Sequence, residues 1–99
     1  MKHKAVIEVG VSQVANRKFP VWLECNLTDY DGTKHSIIEK VPVLTSVKIS
    51  TKQLPSSLKI ECTVIGSQGD QITIELSHGI ESTEGVRRFT VNRSIYHAS

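Results

Sequence analysis

Residues 19–27, FPVWLECNL, place Val21, Leu23, Cys25 and Leu27 on one parity and Trp22, Glu24 and Asn26 on the other. That two-residue period belongs to a strand with one face in a core and the other toward solvent. The same period recurs on both sides of it. In KAVIEVGV, residues 4–11, Ala5, Ile7, Val9 and Val11 oppose Glu8 and the following Ser12, and Gly10 is a place for a bulge. In SLKIECTVI, residues 57–65, Leu58, Ile60, Cys62 and Val64 share a face; in DQITIEL, residues 70–76, Ile72, Ile74 and Leu76 do so. Pairing Gly66 with Asp70 leaves Ser67, Gln68 and Gly69 as a three-residue turn, with Val64 against Ile72 and Cys62 against Ile74. GVRRFTV, residues 85–91, supplies a last strand with Arg87, Phe89 and Val91 on one parity. NRSIYH, residues 92–97, is expected to form one helical turn whose Ile95 and Tyr96 close an end of the core.

Residues 27–33, LTDYDGT, resemble the first motif of the haloacid-dehalogenase-type phosphohydrolases, in which an apolar strand ends in Asp-x-Asp-Gly-Thr. The resemblance implies Asp29 as nucleophile on phosphorus, Asp31 as general acid and base, and a Mg²⁺ ion with a Lys and further carboxylates to complete the site. It also implies a parallel sheet flanked by helices, built from strand–helix–strand crossovers of roughly 30 residues each. It covers seven residues of a 99-residue chain that alternates like strands and carries no paired downstream acidic motif. A calcium loop fails on spacing: the EF-hand needs Gly at position 6 and Glu at position 12, whereas Gly32 stands fourth from Asp29. Asp-Gly between two alternating runs is a β-turn, because Gly tolerates the positive φ that turns demand. LTDYDGTKH, residues 27–35, is therefore expected to be a hairpin tip.

TKHSIIEKVPVL, residues 33–44, has apolar residues on both parities, so its pairing with 21–27 must arbitrate. Setting Glu24 against Lys40, Trp22 against Pro42, Leu23 against Val41 and Leu27 against Ile37 avoids the like-charge pair of Glu24 with Glu39 that a one-residue slip creates. Pro42 has no amide proton and would leave the strand unpaired or bulged there. This register turns Glu39 inward, where a carboxylate needs a cation, and Arg87 is the inward-parity candidate; a buried Glu39–Arg87 pair is the expectation. TSVKIS, residues 45–50, is expected to add a short edge strand through Val47 and Ile49.

Five to seven short antiparallel strands make a small all-β barrel, closed or partly open, with at most one short C-terminal helical turn, as a single domain over residues 1–99. Closure is favoured because it hides every strand edge. At 38% hydrophobic and 22% charged the composition is that of a globular chain. A net charge of +2 falls short of the concentrated positive field that makes nucleic acid the default partner.

Glu8 interrupts the apolar run of MKHKAVIEVGV, no small-residue cleavage site follows, and no stretch reaches a membrane span. A cytoplasmic protein with no membrane partner is expected, with Cys25 and Cys62 reduced and buried. His3, His35, His78 and His97 lie in no ligand spacing, so no metal or other cofactor is expected, and thiols on the core face argue against catalysis. Candidate binding residues are Trp22, Glu24 and Lys40 on the outer face, with Tyr30 in the hairpin tip. The expected function is non-catalytic: a protein-binding module, either an adaptor or an inhibitor- or immunity-type partner. The alternative is a small nucleic-acid-binding barrel of the OB or SH3-like kind, using exposed aromatics and the basic pairs Arg17–Lys18 and Arg87–Arg88. Five aromatic residues of the Phe, Trp and Tyr types supply a stacking platform thinly.

Overall fold

A computed structural model describes residues 3–46, 48–50 and 52–98. The strands are β1 (His3–Asn16), β2 (Trp22–Thr28), β3 (Lys34–Lys40), β4 (Ser57–Gln68), β5 (Gln71–Leu76), β6 (Arg88–Asn92) and β7 (Tyr96–Ala98). A single α-helical turn, α1 (Val41–Leu44), follows β3, and a 3-10 turn (Arg93–Ile95) joins β6 to β7. The strands run β3-β2-β1-β4-β5-β6 in one sheet, with β7 beside the first half of β1, and every pairing among them is antiparallel. The sheet curls into a half-barrel. Among the described residues the parallel, helix-flanked setting implied by the phosphohydrolase resemblance is therefore absent.

The alternating residues line the inside of the curl. Ala5, Ile7, Val9, Leu23, Cys25, Leu27, Ile37, Ile60, Cys62, Ile72, Ile74 and Val91 are all essentially inaccessible, and Leu58, Leu76 and Phe89 complete the layer. β1 is the spine. Its first half pairs with β4 on one side and β7 on the other, and its second half pairs with β2. Two bulges, at Ser12 and Ala15, shift the inward parity from Val11 to Val14 and bend the strand. Gly10, the expected bulge, is regular; it makes room for Asn26 opposite it, since a Cβ there would lie 2.9 Å from the Asn26 side chain.

Both hairpin registers differ from expectation by two residues. In β2–β3, Trp22 faces Lys40, Leu23 faces Glu39, Glu24 faces Ile38 and Leu27 faces His35. In β4–β5, Val64 faces Ile74 and Cys62 faces Leu76, because the turn is the two residues Gly69 and Asp70, with Gly69 at φ 60°, and a bulge at Ile65 absorbs the extra residue. A slip of two keeps each residue on its own face, so the core survives both changes.

Three further expectations are corrected. Residues 41–44 are a helical turn, with Pro42 in its first turn, where a missing amide proton costs nothing. Residues 45–50 form no strand among those described; Ile49 packs on the core from coil, and Val47 lies outside the described residues. The half-barrel is not closed by a β3–β6 strand pairing. The Tyr30 N–H donates to the Thr90 carbonyl at the tip of β2–β3 (2.8 Å), and the Thr83 N–H donates to the Ser36 carbonyl of β3 (2.8 Å). The second bond comes from the 77–87 connection, whose Ile80 and Ser82 are buried; the Ser82 hydroxyl accepts the N–H groups of Glu84 and Val86. The expected terminal turn is present, with Ile95 and Tyr96 packed against the core, and the chain then continues as β7.

Candidate functional site

The register brings Trp22 and Lys40 into direct opposition, with the Lys40 ammonium 5.5 Å from the centre of the indole ring. Glu24 lies beside them and accepts from the Gln13 amide at 2.7 Å. Tyr30 is not part of this group. It stands at the hairpin tip, bordering the β3–β6 seam with Asp29, His35, Arg88, Phe89 and Thr90.

The Glu39–Arg87 pair does not form. Glu39 takes the inward parity but sits at the end of β3, half-buried at the mouth of the curl, where its carboxylate accepts the Lys40 N–H at 2.9 Å. Arg87 precedes β6 in an exposed connection and pairs with Glu81 at 3.3 Å. A carboxylate that reaches water at a strand end needs no buried cation.

At the seam, the Asp29 carboxylate organises the hairpin tip. Its Oδ1 accepts the N–H groups of Asp31 (2.9 Å) and Thr33 (3.0 Å), and its Oδ2 lies 2.8 Å from His35 Nε2. Gly32, at φ 87°, completes the turn. The His35 ring rests on Phe89 with ring centres 4.9 Å apart, linking β3 to β6. The hydrogen bond with His35 is the main influence holding the Asp29 carboxyl below its ordinary range, helped by the two backbone donors. Both carboxylate oxygens are therefore engaged in shaping the turn.

A group whose pKa is depressed by folding contributes stability above its unfolded value and loses that contribution as pH falls through the folded one. Asp29→Asn keeps the shape and removes the charge facing His35. The melting temperature of the wild type is expected to fall more steeply than that of Asp29→Asn as pH drops from about 5 to about 3. Any phosphatase activity of a preparation should be the same for both proteins. Mg²⁺-dependent turnover abolished by this change would restore Asp29 as a nucleophile.

Cys25 and Cys62 are free and buried on β2 and β4, and burial pushes each thiol up to about 11, the charge of Glu24 adding to the effect at Cys25. Neither is a thiolate near neutrality. Among the described residues no three His, Cys, Asp or Glu side chains gather to hold a metal ion. Of the histidines, His78 meets Glu61 at 2.9 Å on the surface, and His97 lies on β7 opposite Val6; the His3 side chain lies outside those described.

The sequence reading misses the most exposed large apolar side chain among the described residues. Phe19, in the connection between β1 and β2, is 95% exposed. It borders a hollow of about 170 Å³ lined by Pro20, Val21, Val41, Pro42 and Ile49. The hollow opens onto a shelf formed by Thr45, Ser46 and Lys48. The Val41 N–H donates to the Val21 carbonyl at 2.9 Å, tying the two walls together. α1 is what makes the groove: it turns the chain out of β3 and presents Val41 and Pro42 beside Val21. The alternation misleads here: Phe19 shares the parity of Val21, Leu23 and Cys25, which would turn it to the core, and only Pro20 marks that the strand has not yet begun.

Compared with protein-family models, with curated proteins and with solved structures, the chain has no match. Among the described residues no helix is long and apolar enough to cross a membrane.

Proposed function

We propose that this protein is a non-catalytic protein-binding module of the cytoplasm, an adaptor or an inhibitor- or immunity-type partner, and that it engages its partner through the Phe19 groove. The observation that carries this reading is the 95% exposure of Phe19 beside an apolar hollow. A lone exposed ring is ordinary, but one gathered with Pro20, Val21, Val41, Pro42 and Ile49 forms an apolar patch, and aromatic anchors in such patches dominate protein interfaces. The hollow itself, about 170 Å³, is the size of a single side chain, and the shelf beside it, about 320 Å³, gives the rest of a bound segment room to lie. Trp22 and Lys40, the residues that begin β2 and end β3, directly adjoin the groove residues Val21 and Val41 in the chain.

The nucleic-acid alternative draws on Phe19 and Trp22 beside Arg17, Lys18 and Lys40. Stacking needs free ring faces, and Lys40 already stands over Trp22, which is half-buried. That leaves Phe19 here and Tyr30 away at the seam, too far apart along the fold to make one stacking platform with these basic residues, so protein binding is the better-supported reading.

A photo-reactive phenylalanine analogue at position 19 tests it, with the same analogue at Val86, an exposed position at the seam. A single protein cross-linked in native extract from position 19 and not from 86 is the expected result. Equal capture from both positions, or capture of nucleic acid from position 19, would contradict it.

A further inference from the structure

Building on the reading of the groove as a protein-docking face, we infer that its occupant is an acidic segment presenting one apolar side chain between carboxylates. The two stretches of chain that build the groove, between Glu8 and Glu24 and between Glu39 and Glu61, contain no Asp or Glu at all. They hold Arg17, Lys18, Lys40, Lys48, Lys52 and Lys59, half of the chain's 12 Lys and Arg, while the remaining residues are net negative. The modest overall charge therefore conceals two basic runs of sequence, with carboxylates only at their ends: Glu24 and Glu39 by Lys40, and Glu61 on the side of α1 toward Thr45 and Ser46. Two of the six are accounted for: Lys59 pairs across the sheet with Glu8, and Lys40 stands over Trp22.

Arg17, Lys18, Lys48 and Lys52 are exposed and make no ion pair among the described residues. Arg17 and Lys18 immediately precede Phe19, and Lys48 lines the shelf beside Ile49. An apolar centre with charges of one sign at its rim is the form of a protein interface, in which the centre supplies affinity and the rim steers and selects. The complement of this rim is a carboxylate-rich segment. A membrane surface fits less well, because Phe19 and Pro42 are exposed while Pro20, Val21, Val41 and Ile49 are half-buried in a concavity. A concavity accepts a side chain, whereas interfacial insertion uses a projecting apolar face.

Selection of a displayed random-peptide library on the full chain tests this whatever the natural partner is. The comparison proteins are Phe19→Ser and the triple variant Arg17→Glu, Lys18→Glu, Lys48→Glu; all four positions are exposed, and thermal melts confirm folding. The expected peptides carry Asp and Glu around a Leu, Ile or Phe, bind more weakly as salt rises, and lose about 30-fold in affinity to either comparison protein. Peptides that depend on Phe19 but are neutral or basic would overturn the acidic assignment and leave the docking face standing. Failure to select any peptide that depends on Phe19 would overturn both. Phosphatidylserine vesicles and single-stranded oligonucleotides are run in parallel. Binding of either that requires Phe19 and exceeds that of the selected peptides would overturn the inference in favour of a membrane surface or a nucleic acid.

Discussion

Ile7→Ala is expected to lower stability by about 3–4 kcal/mol and the melting temperature by roughly 15–25 °C. Ile7 has no accessible surface and sits in the half of β1 that is paired on both sides, with Ile60 on β4 and Tyr96 on β7 as its register partners. With strands fixed on both flanks the backbone has little freedom to collapse into the space left by the lost side chain, so the cavity persists and adds its cost to the lost burial. The loss is a large share of the roughly 5–15 kcal/mol by which a domain of this size is folded. Ile7→Val, which removes one methyl group, should cost about 1 kcal/mol. Similar melts for the Ala and Val variants would show that Ile7 is not packed as described.

The second large effect is at the seam. Phe89→Ala is expected to cost about 3–5 kcal/mol, as for other buried aromatic truncations, and to act unevenly. Phe89 is buried on β6 and carries the His35 ring of β3, so its loss removes the side-chain link between the two ends of the sheet. Amide exchange at Tyr30 and Thr83, the two donors that bridge the seam, should then accelerate well beyond that of β1 and β4, which keep their strand partners on both sides. Uniform acceleration throughout the sheet would mean that the seam is not a separate weak point.

The faces of the strands are open to reading in the chain and their pairings are not. Alternation depends on each strand alone, so Ile7, Leu23, Cys25, Ile60 and Ile74 can be assigned to the core without knowing their neighbours. Register depends on the turn. The tip LTDYDGT is recognisable as a turn, but nothing in 33–44 distinguishes Glu24 against Lys40 from Glu24 against Ile38, since both keep Glu24 outside. At SQGD, the choice between a three-residue and a two-residue turn rests on a bulge at Ile65 that no local pattern marks. The run VPVL is apolar on both parities, as a buried strand or a helical turn would be, and Pro42 favours the turn. The half-open form is hidden for another reason: the contacts of Tyr30 with Thr90 and Thr83 with Ser36 join residues far apart in sequence. Of the candidate binding residues, the outer-face placement of Trp22 and Lys40 follows from the strand pattern, while their meeting comes from the register, which sets Lys40 against Trp22 rather than Glu24. Phe19 escapes it because it continues the parity of Val21 and Leu23, which would assign it to the core, although β2 begins only at Trp22 and Phe19 lies in the connection before it.

The central claim is that the Phe19 groove is the working surface of the molecule. Its most direct test is the affinity of the partner captured at position 19, once purified, for three forms of this protein measured side by side by titration calorimetry. The wild type and Val86→Ser should bind equally, while Phe19→Ser should lose about 2 kcal/mol or more, roughly 30-fold, with its own melting temperature unchanged. Undiminished binding by Phe19→Ser, or an equal loss in Val86→Ser, would contradict the claim.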